Sequence, residues 1–305
     1  MNMHKVIVRC LEGLIAIWGV VTIVFIVSRL LGDPAVLMLP PGATAAQLAE
    51  LREKLGLHGS LLSQYVDFMR AVIRGDFGSS FQFDRPALSV VLDRLPATLS
   101  LAFLALGIGL FGGMLAGTVA AVNQGSFAGG LLMMLALLGQ ATPAFWLGVL
   151  LIMILSVKLQ WLPVGGYGHW QSFILPAITL ACFTSASIAR LLRSSMLETL
   201  TEDFVRTARA KGLRPGRILI WHVGKNSVLP VLTMAGILTG ELLGGAAVTE
   251  SVFSWPGVGR LIVQSIQAKD FPVVQAGVAI IAATFIAVNI LVDCLYVVID
   301  PRVGR

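Results

Sequence analysis

The chain has 305 residues, 56% of them hydrophobic and only 12% charged, with a formal net charge of +6 and a mean hydropathy of +0.86. A soluble domain carries about 25% charged residues, and a disordered chain needs low hydrophobicity with high charge. The composition therefore argues against a soluble enzyme, excludes disorder and marks an integral membrane protein.

The N-terminus, with Lys5 and Arg9, leads into an apolar run from Leu11 to Ser28. A secretory signal has a shorter apolar core followed by a small-x-small cleavage site. Here the run ends Ser28-Arg29-Leu30-Leu31, so a retained first membrane helix is expected. Residues 32–96 mix acids and bases nearly evenly and read as a partly helical extracytoplasmic segment. Within it, Thr44 is placed as an N-cap, Leu48, Leu51 and Leu55 recur at helical spacing, and Gly56 is the stop.

Beyond this segment, Lys158 is the only charged residue between Leu95 and Ala189, a stretch of 95 residues. Each membrane crossing needs about 20 apolar residues. Five further helices are expected at 97–122, 131–157, 173–193, 228–249 and 273–299. The fold class is an all-α membrane protein with six transmembrane helices. Its domains read as 1–31 (tail and first helix), 32–96 (extracytoplasmic) and 97–305 (five-helix core with a loop at 194–227). Glycines recur every fourth residue at Gly109, Gly113 and Gly117, and again at Gly236, Gly240 and Gly244. Such ridges let helices approach closely, within this chain or against a partner.

Orientation follows from the short loops. Six crossings put both termini and the segment 190–227 on one side, with twelve basic residues, against three (Lys158, Arg260 and Lys269) on the other. By the positive-inside rule the termini and 190–227 are cytoplasmic. The net positive charge is thus a topology signal before it is a nucleic-acid signal, and the partner it implies is the lipid bilayer.

The cytoplasmic segment holds eight bases from Arg190 to Lys225. Thr201 is expected as an N-cap, with Glu202 and Asp203 in a first turn that suits the helix dipole. Gly212 is the expected stop and Pro215-Gly216 a turn. The plain alternative is a basic loop that fixes topology or touches anionic lipid.

The run Asp-Phe-Val-Arg-Thr-Ala-Arg-Ala-Lys-Gly at 203–212, followed by His222 and Leu229-Pro230, resembles the EAA loop of ABC importer permeases. It is most similar to the dipeptide, oligopeptide and nickel branch. Matching motifs run along nearly the whole chain. They are Gly32-Asp33-Pro34-Ala35, Leu55-Gly56-Leu57 with Gln64-Tyr65, Gly75-Asp76-Phe77-Gly78-Ser79-Ser80 and Arg94-Leu95-Pro96-Ala97-Thr98. Pro143-Ala144-Phe145-Trp146, Trp161-Leu162-Pro163, Glu250 to Gly259, and Asp293 to Asp300-Pro301-Arg302 follow in order. Two departures stand out. The general Glu-Ala-Ala falls on Arg206-Thr207-Ala208, and His58-Gly59-Ser60 replaces Asp-x-Pro after Leu-Gly-Leu.

The resemblance implies a permease of the bacterial inner membrane that pairs with a homologous permease, two cytoplasmic ATPases and an extracytoplasmic solute-binding protein. The helix at 202–212 then docks on an ATPase, with Asp203, Arg206, Ala208, Arg209, Lys211 and Gly212 at the contact. The implied cargo is a di- or oligopeptide or a related small solute such as a nickel complex. No cofactor is expected on this chain itself: it lacks a Gly-x-x-x-x-Gly-Lys-Ser/Thr run, Gly224-Lys225 being followed by Asn226, so ATP chemistry belongs to the partners. The chain is thus not expected to be an enzyme.

Other features leave alternatives open. Membrane-embedded acids face a bundle interior or a water path, so Glu241 reads either as pore-lining or as a polar contact to a partner helix. The stretch with Glu250, Trp255, Pro256 and Gly257 reads as a gate or binding-protein contact, or as a structural turn. His4, His58, His169 and His222 lie outside the apolar spans, which leaves an intramembrane Ser/His protease poorly supported. Cys10, Cys182 and Cys294 are scattered and form no metal or disulfide pattern. The competing function is a secondary transporter or channel that works alone.

Overall fold

The computed structural model describes residues 3–30, 36, 42, 44–54 and 59–299. The Gly56 stop and the motifs at 32–35, 55–57 and 300–302 lie outside them. So do the side chains of Cys10, Asp293 and Cys294. Described in chain order, the helices are α1 Met3–Leu30, α2 Ala45–Lys54, α3 Leu61–Ile73, α4 Ala87–Val122, α5 Phe127–Ala141 and α6 Ala144–Leu151. There follow α7 Ile174–Thr199, α8 Asp203–Ala210, α9 Lys225–Val252, α10 Val258–Gln267 and α11 Phe271–Ile299. A π-helical stretch extends α6 to Lys158, and another, Ile218–Gly224, leads into α9.

Thr44 caps α2 as expected: its hydroxyl accepts from the Gln47 N–H, while the Gln47 side chain accepts from the Thr44 N–H. This is a capping box, in which two orphan donors satisfy each other's residues.

Five helices are long and apolar enough to cross a membrane. The expected single helix at 131–157 is instead two, α5 and α6, which meet at 105°. Proline lacks an N–H and disfavours helical backbone at the residue before it. Thr142 is accordingly extended, and Pro143 opens α6. The bent pair still crosses the bundle. Gly129 in α5 lies against the Asn123 carbonyl just past the end of α4, whereas Gly148 in α6 lies against the ring of Phe253 at the opposite end.

α4 begins ten residues before the expected start at 97 and carries Pro96 inside it. Its first turns are held by tertiary packing: Ala87, Val90 and Val91 bury against Val258 and Leu261 of α10 and Val273 of α11. At 36 residues the helix is about 54 Å long, well beyond a hydrocarbon core of about 30 Å.

The first glycine ridge faces α7. A Cβ at Gly113 would meet the Ser185 carbonyl at 2.7 Å, and one at Gly117 the Ala189 carbonyl at 2.7 Å. Gly236 and Gly240 of the second ridge pack against Val292 and Phe285 of α11, while nothing lies within 4 Å of a Cβ at Gly244. Both ridges are thus used largely within the chain.

Candidate functional site

Two clusters sit at opposite ends of the bundle. The first is built around α8. This eight-residue helix turns only Val205 and Ala208 inward, at 0% and 5% exposure, and its other side chains face out. The two buried residues enter an apolar cluster with Ile188, Leu192 and Met196 of α7 and Ile218 of the following stretch. A helix this short is marginal alone, so this seat is what holds it.

Glu202, in extended backbone, precedes the first turn and has no side-chain cap bond. The expected cap, Thr201, instead donates its hydroxyl back to the Glu198 carbonyl. That bond closes the end of α7, because a threonine one turn past a free helix carbonyl reaches it more readily than the next helix. The C-terminus ends as expected. Gly212 has φ +74°, the left-handed conformation only glycine adopts without cost. Its N–H donates to the Arg209 carbonyl. The Pro215-Gly216 turn is in fact the first turn of the next helical stretch, with Pro215 at its first position. A missing N–H costs nothing there.

Asp203, Arg206, Arg209, Lys211 and Gly212 all lie on the outer surface of this element. Ala208 does not. Its methyl is buried in the seat rather than on the outer face. Phe204, next to Asp203, is also 41% exposed on this outer face. Glu241, halfway along α9, is exposed on the surface of the single chain.

The second cluster joins α4, α9 and α10. Glu250 is fully buried. One carboxylate oxygen accepts from the Thr98 hydroxyl at 2.7 Å, and the other from the Arg260 N–H at 2.8 Å. The Thr98 oxygen in turn accepts from the Val258 N–H at 2.8 Å. α10 has no side-chain cap of its own at Gly257. Its orphan N–H groups are instead satisfied by Thr98 and Glu250, from two other helices. A helix N-terminus carries partial positive charge, so the dipole and these donors offset the desolvation of the buried carboxylate.

Gly257 abuts that carboxylate so closely that a Cβ has no room. Trp255 is also fully buried. Its indole N–H donates to the Ala97 carbonyl at 2.9 Å, and its ring meets Phe173 and Tyr167 edge-on at 4.5 and 5.0 Å. Pro256 is half-buried beside a cavity of about 260 Å³ lined also by Arg94 and Tyr167. Thr98, 152 residues from Glu250, was not singled out from the sequence. Among the described residues no three His, Cys, Asp or Glu side chains converge on a metal-sized site.

A bent six-span bundle with a short, externally charged helix at one end has the architecture of a transport permease. Its fold matches the MetNI methionine ABC transporter in inward-facing conformations, with a TM-score of 0.56 and 17% identity over 69% of this chain and 96% of that one. An amino acid ABC transporter with histidines matches at a TM-score of 0.52 and 20% identity, over 70% and 94%. Residues 113–305 match the family described as "Binding-protein-dependent transport system inner membrane component", and residues 3–102 match its N-terminal counterpart. The glutathione transport system permease protein GsiC of Escherichia coli strain K12 is 40% identical over 303 residues, 99% of either chain. Its Shigella flexneri serotype 5b counterpart is 39% identical over the same length.

The chain belongs to this family. It is a multi-pass permease subunit of an ABC importer, a transport component rather than an enzyme, and it works with ATPase and binding-protein components. Membership sets aside the stand-alone channel and the protease.

Proposed function

We propose that this chain forms one half of a translocation pathway in the cytoplasmic membrane, beside a homologous permease. Both termini and α8 face the cytoplasm. Two ATPases bind and hydrolyse ATP there, and a solute-binding protein delivers cargo on the other side. The carrying observation is the division of α8 into a buried seat, Val205 and Ala208, and an exposed face with Phe204, Arg206, Arg209 and Lys211. A coupling element must be fixed to its own subunit and free toward its partner, and this division meets both needs. The 12 basic residues on that side support the orientation.

The cargo is a short peptide-class solute. Full-length identity to a glutathione transport permease supports glutathione and similar small peptides ahead of a nickel complex.

The test uses the chain co-expressed with the ATPase and binding-protein genes that neighbour it, reconstituted in liposomes. The expected result is ATP-dependent uptake of labelled glutathione or dipeptide that needs the binding protein. Uptake by this chain alone, driven by an ion gradient, overturns the reading. ATP-dependent uptake of neither peptide overturns only the cargo.

A further inference from the structure

The segment between α1 and α4 contains a helix, α3, that carries an exposed apolar stripe. α3 is well defined at both ends. Ser60 caps it by accepting from the Ser63 N–H, and Gly75, with φ +76°, follows its end. None of its residues is fully buried, yet much of it is apolar.

On the 3.6-residue helical wheel, Tyr65, Phe68 and Val72 share one face. Leu62, Val66, Met69 and Ile73, at spacings of four, three and four, form a stripe about a quarter turn away. Ser63, Asp67 and Arg70 lie on the remaining side, where Asp67 and Arg70 pair at 3.3 Å in the open. The first face binds α1: Tyr65 shares a hydrogen bond with Thr22 at 2.8 Å, and Phe25 meets the rings of Tyr65 and Phe68 at 5.4 and 5.2 Å. Among the described residues, no other element packs closely on the stripe. Leu62 is 71% and Ile73 81% exposed.

The position of the α1 contact gives the depth. The apolar span of α1 runs from Leu11 to Leu30, 20 residues, or about 30 Å, which is the thickness of a hydrocarbon core. Thr22 and Phe25 lie eight and five residues before its end, about 12 and 8 Å inside. α3 is therefore anchored below the end of the span. An amphipathic helix lying in the membrane plane sits about 5–10 Å into the boundary between headgroups and acyl chains. On α1, Ile23, Ile26, Val27 and Leu30, in the same stretch as the Thr22 and Phe25 contacts, are exposed apolar side chains as well. Arg29 stacks on Phe25 at 5.2 Å, so its charge is held at the level where the polar boundary begins.

We infer that α3 is an in-plane interfacial helix, with Leu62, Val66 and Ile73 inserted among the lipid acyl chains of the leaflet at the C-terminal end of α1. In the proposed orientation this is the outer leaflet. The helix ties the chain between α1 and α4 to the membrane surface. The inference does not depend on the cargo or on how the ATPases dock.

The experiment places a bimane label at single sites of the full chain, with its three native cysteines replaced by serine. The label is introduced by Leu62→Cys, Ile73→Cys or, on the polar side, Asp67→Cys. Each protein is reconstituted in phosphatidylcholine–phosphatidylglycerol vesicles. Lipids brominated near the headgroup should quench the labels at 62 and 73 at least about twofold more than the label at 67. Aqueous iodide should show the reverse order. Iodide quenching as strong at 73 as at 67 means that the stripe faces water and overturns the inference. Labels at 62 and 73 reached by neither quencher mean that another protein surface covers the stripe, and this also overturns it. The three labels are compared on one helix, so a misfolded preparation is recognised by the loss of the difference at all three and by its elution in size-exclusion chromatography.

Discussion

The helix at one end of the bundle, α8, is fastened by two small apolar side chains, and the helix at the other end, α10, by directed hydrogen bonds. Val205 and Ala208 slip into an apolar cluster that fixes no unique geometry. Glu250 and Thr98 instead bind named N–H groups of α10, and Trp255 is fixed at both its ring and its nitrogen. Apolar packing accepts substitutions of similar volume and allows a helix to shift on its seat. A buried polar set penalises every displacement, because each separated partner is left without water. The seat of α8 thus tolerates small shifts, whereas the hydrogen-bonded end with α10 holds its shape.

Six substitutions test this contrast, from the largest effect to the smallest. Gly257→Ala forces a methyl into the Glu250 carboxylate. It should cost about 3 kcal/mol or more and abolish a monodisperse peak in size-exclusion chromatography. Thr98→Val keeps the shape but removes one donor to Glu250 and the acceptor for the Val258 N–H. A loss of about 2–3 kcal/mol is expected, read as a lower melting temperature. An unchanged melting curve would remove the case for a rigid end.

Ala208→Glu places a carboxylate in the apolar seat. α8 should swing out rather than bury it, which abolishes coupled ATPase activity and opens residues 200–214 to protease, while the bundle melts nearly as before. Phe204→Ala and Lys211→Glu change only the outer face. Stability should stay within about 0.5 kcal/mol, with solute-stimulated ATPase lost. Retained activity in both would sink the coupling role of that face. Last, Asp203 and Arg206 pair at 3.4 Å with side chains 95% and 71% exposed. Exposed pairs contribute little, so Arg206→Gln should leave the melting temperature unchanged.

The apolar spans were legible in the sequence because lipid imposes a long run without charge, and that survives any detail of packing. The glycine ridges were legible as ridges, but only the structure gives α7 as the neighbour of the first. The break at Thr142–Pro143 was not legible: a single helix over 131–157 passes through Pro143, and only the structure gives the 105° bend. α10 escaped notice because ten residues with a mixed pattern resemble a loop. Its N-terminal partners lie on helices far away in the chain.

The same distance hides the surroundings of Glu250. A lone acid near a membrane surface suggests water or solute, and its donors become visible only when α4 folds beside α9. In α8 the motif located the helix but not its faces. A small residue such as Ala208 suits close contact with a partner and burial in its own subunit equally well.

The ridge of Gly109, Gly113 and Gly117 has a mechanical consequence. Thr184, Ile188 and Leu192 of α7 rest in the notches left by the missing side chains, with added Cβ atoms meeting them or their neighbours at 2.6–3.2 Å. Two helices toothed in this way cannot slide lengthwise by a small amount. The next notch is four residues away, about 6 Å, and reaching it means lifting the teeth out of contact. Axial play is removed, and what remains to α4 and α7 is rotation as a single plank. Because α4 and α7 run through the bundle toothed together, a displacement at one end of the pair is carried to the other as a change of tilt rather than lost as slip.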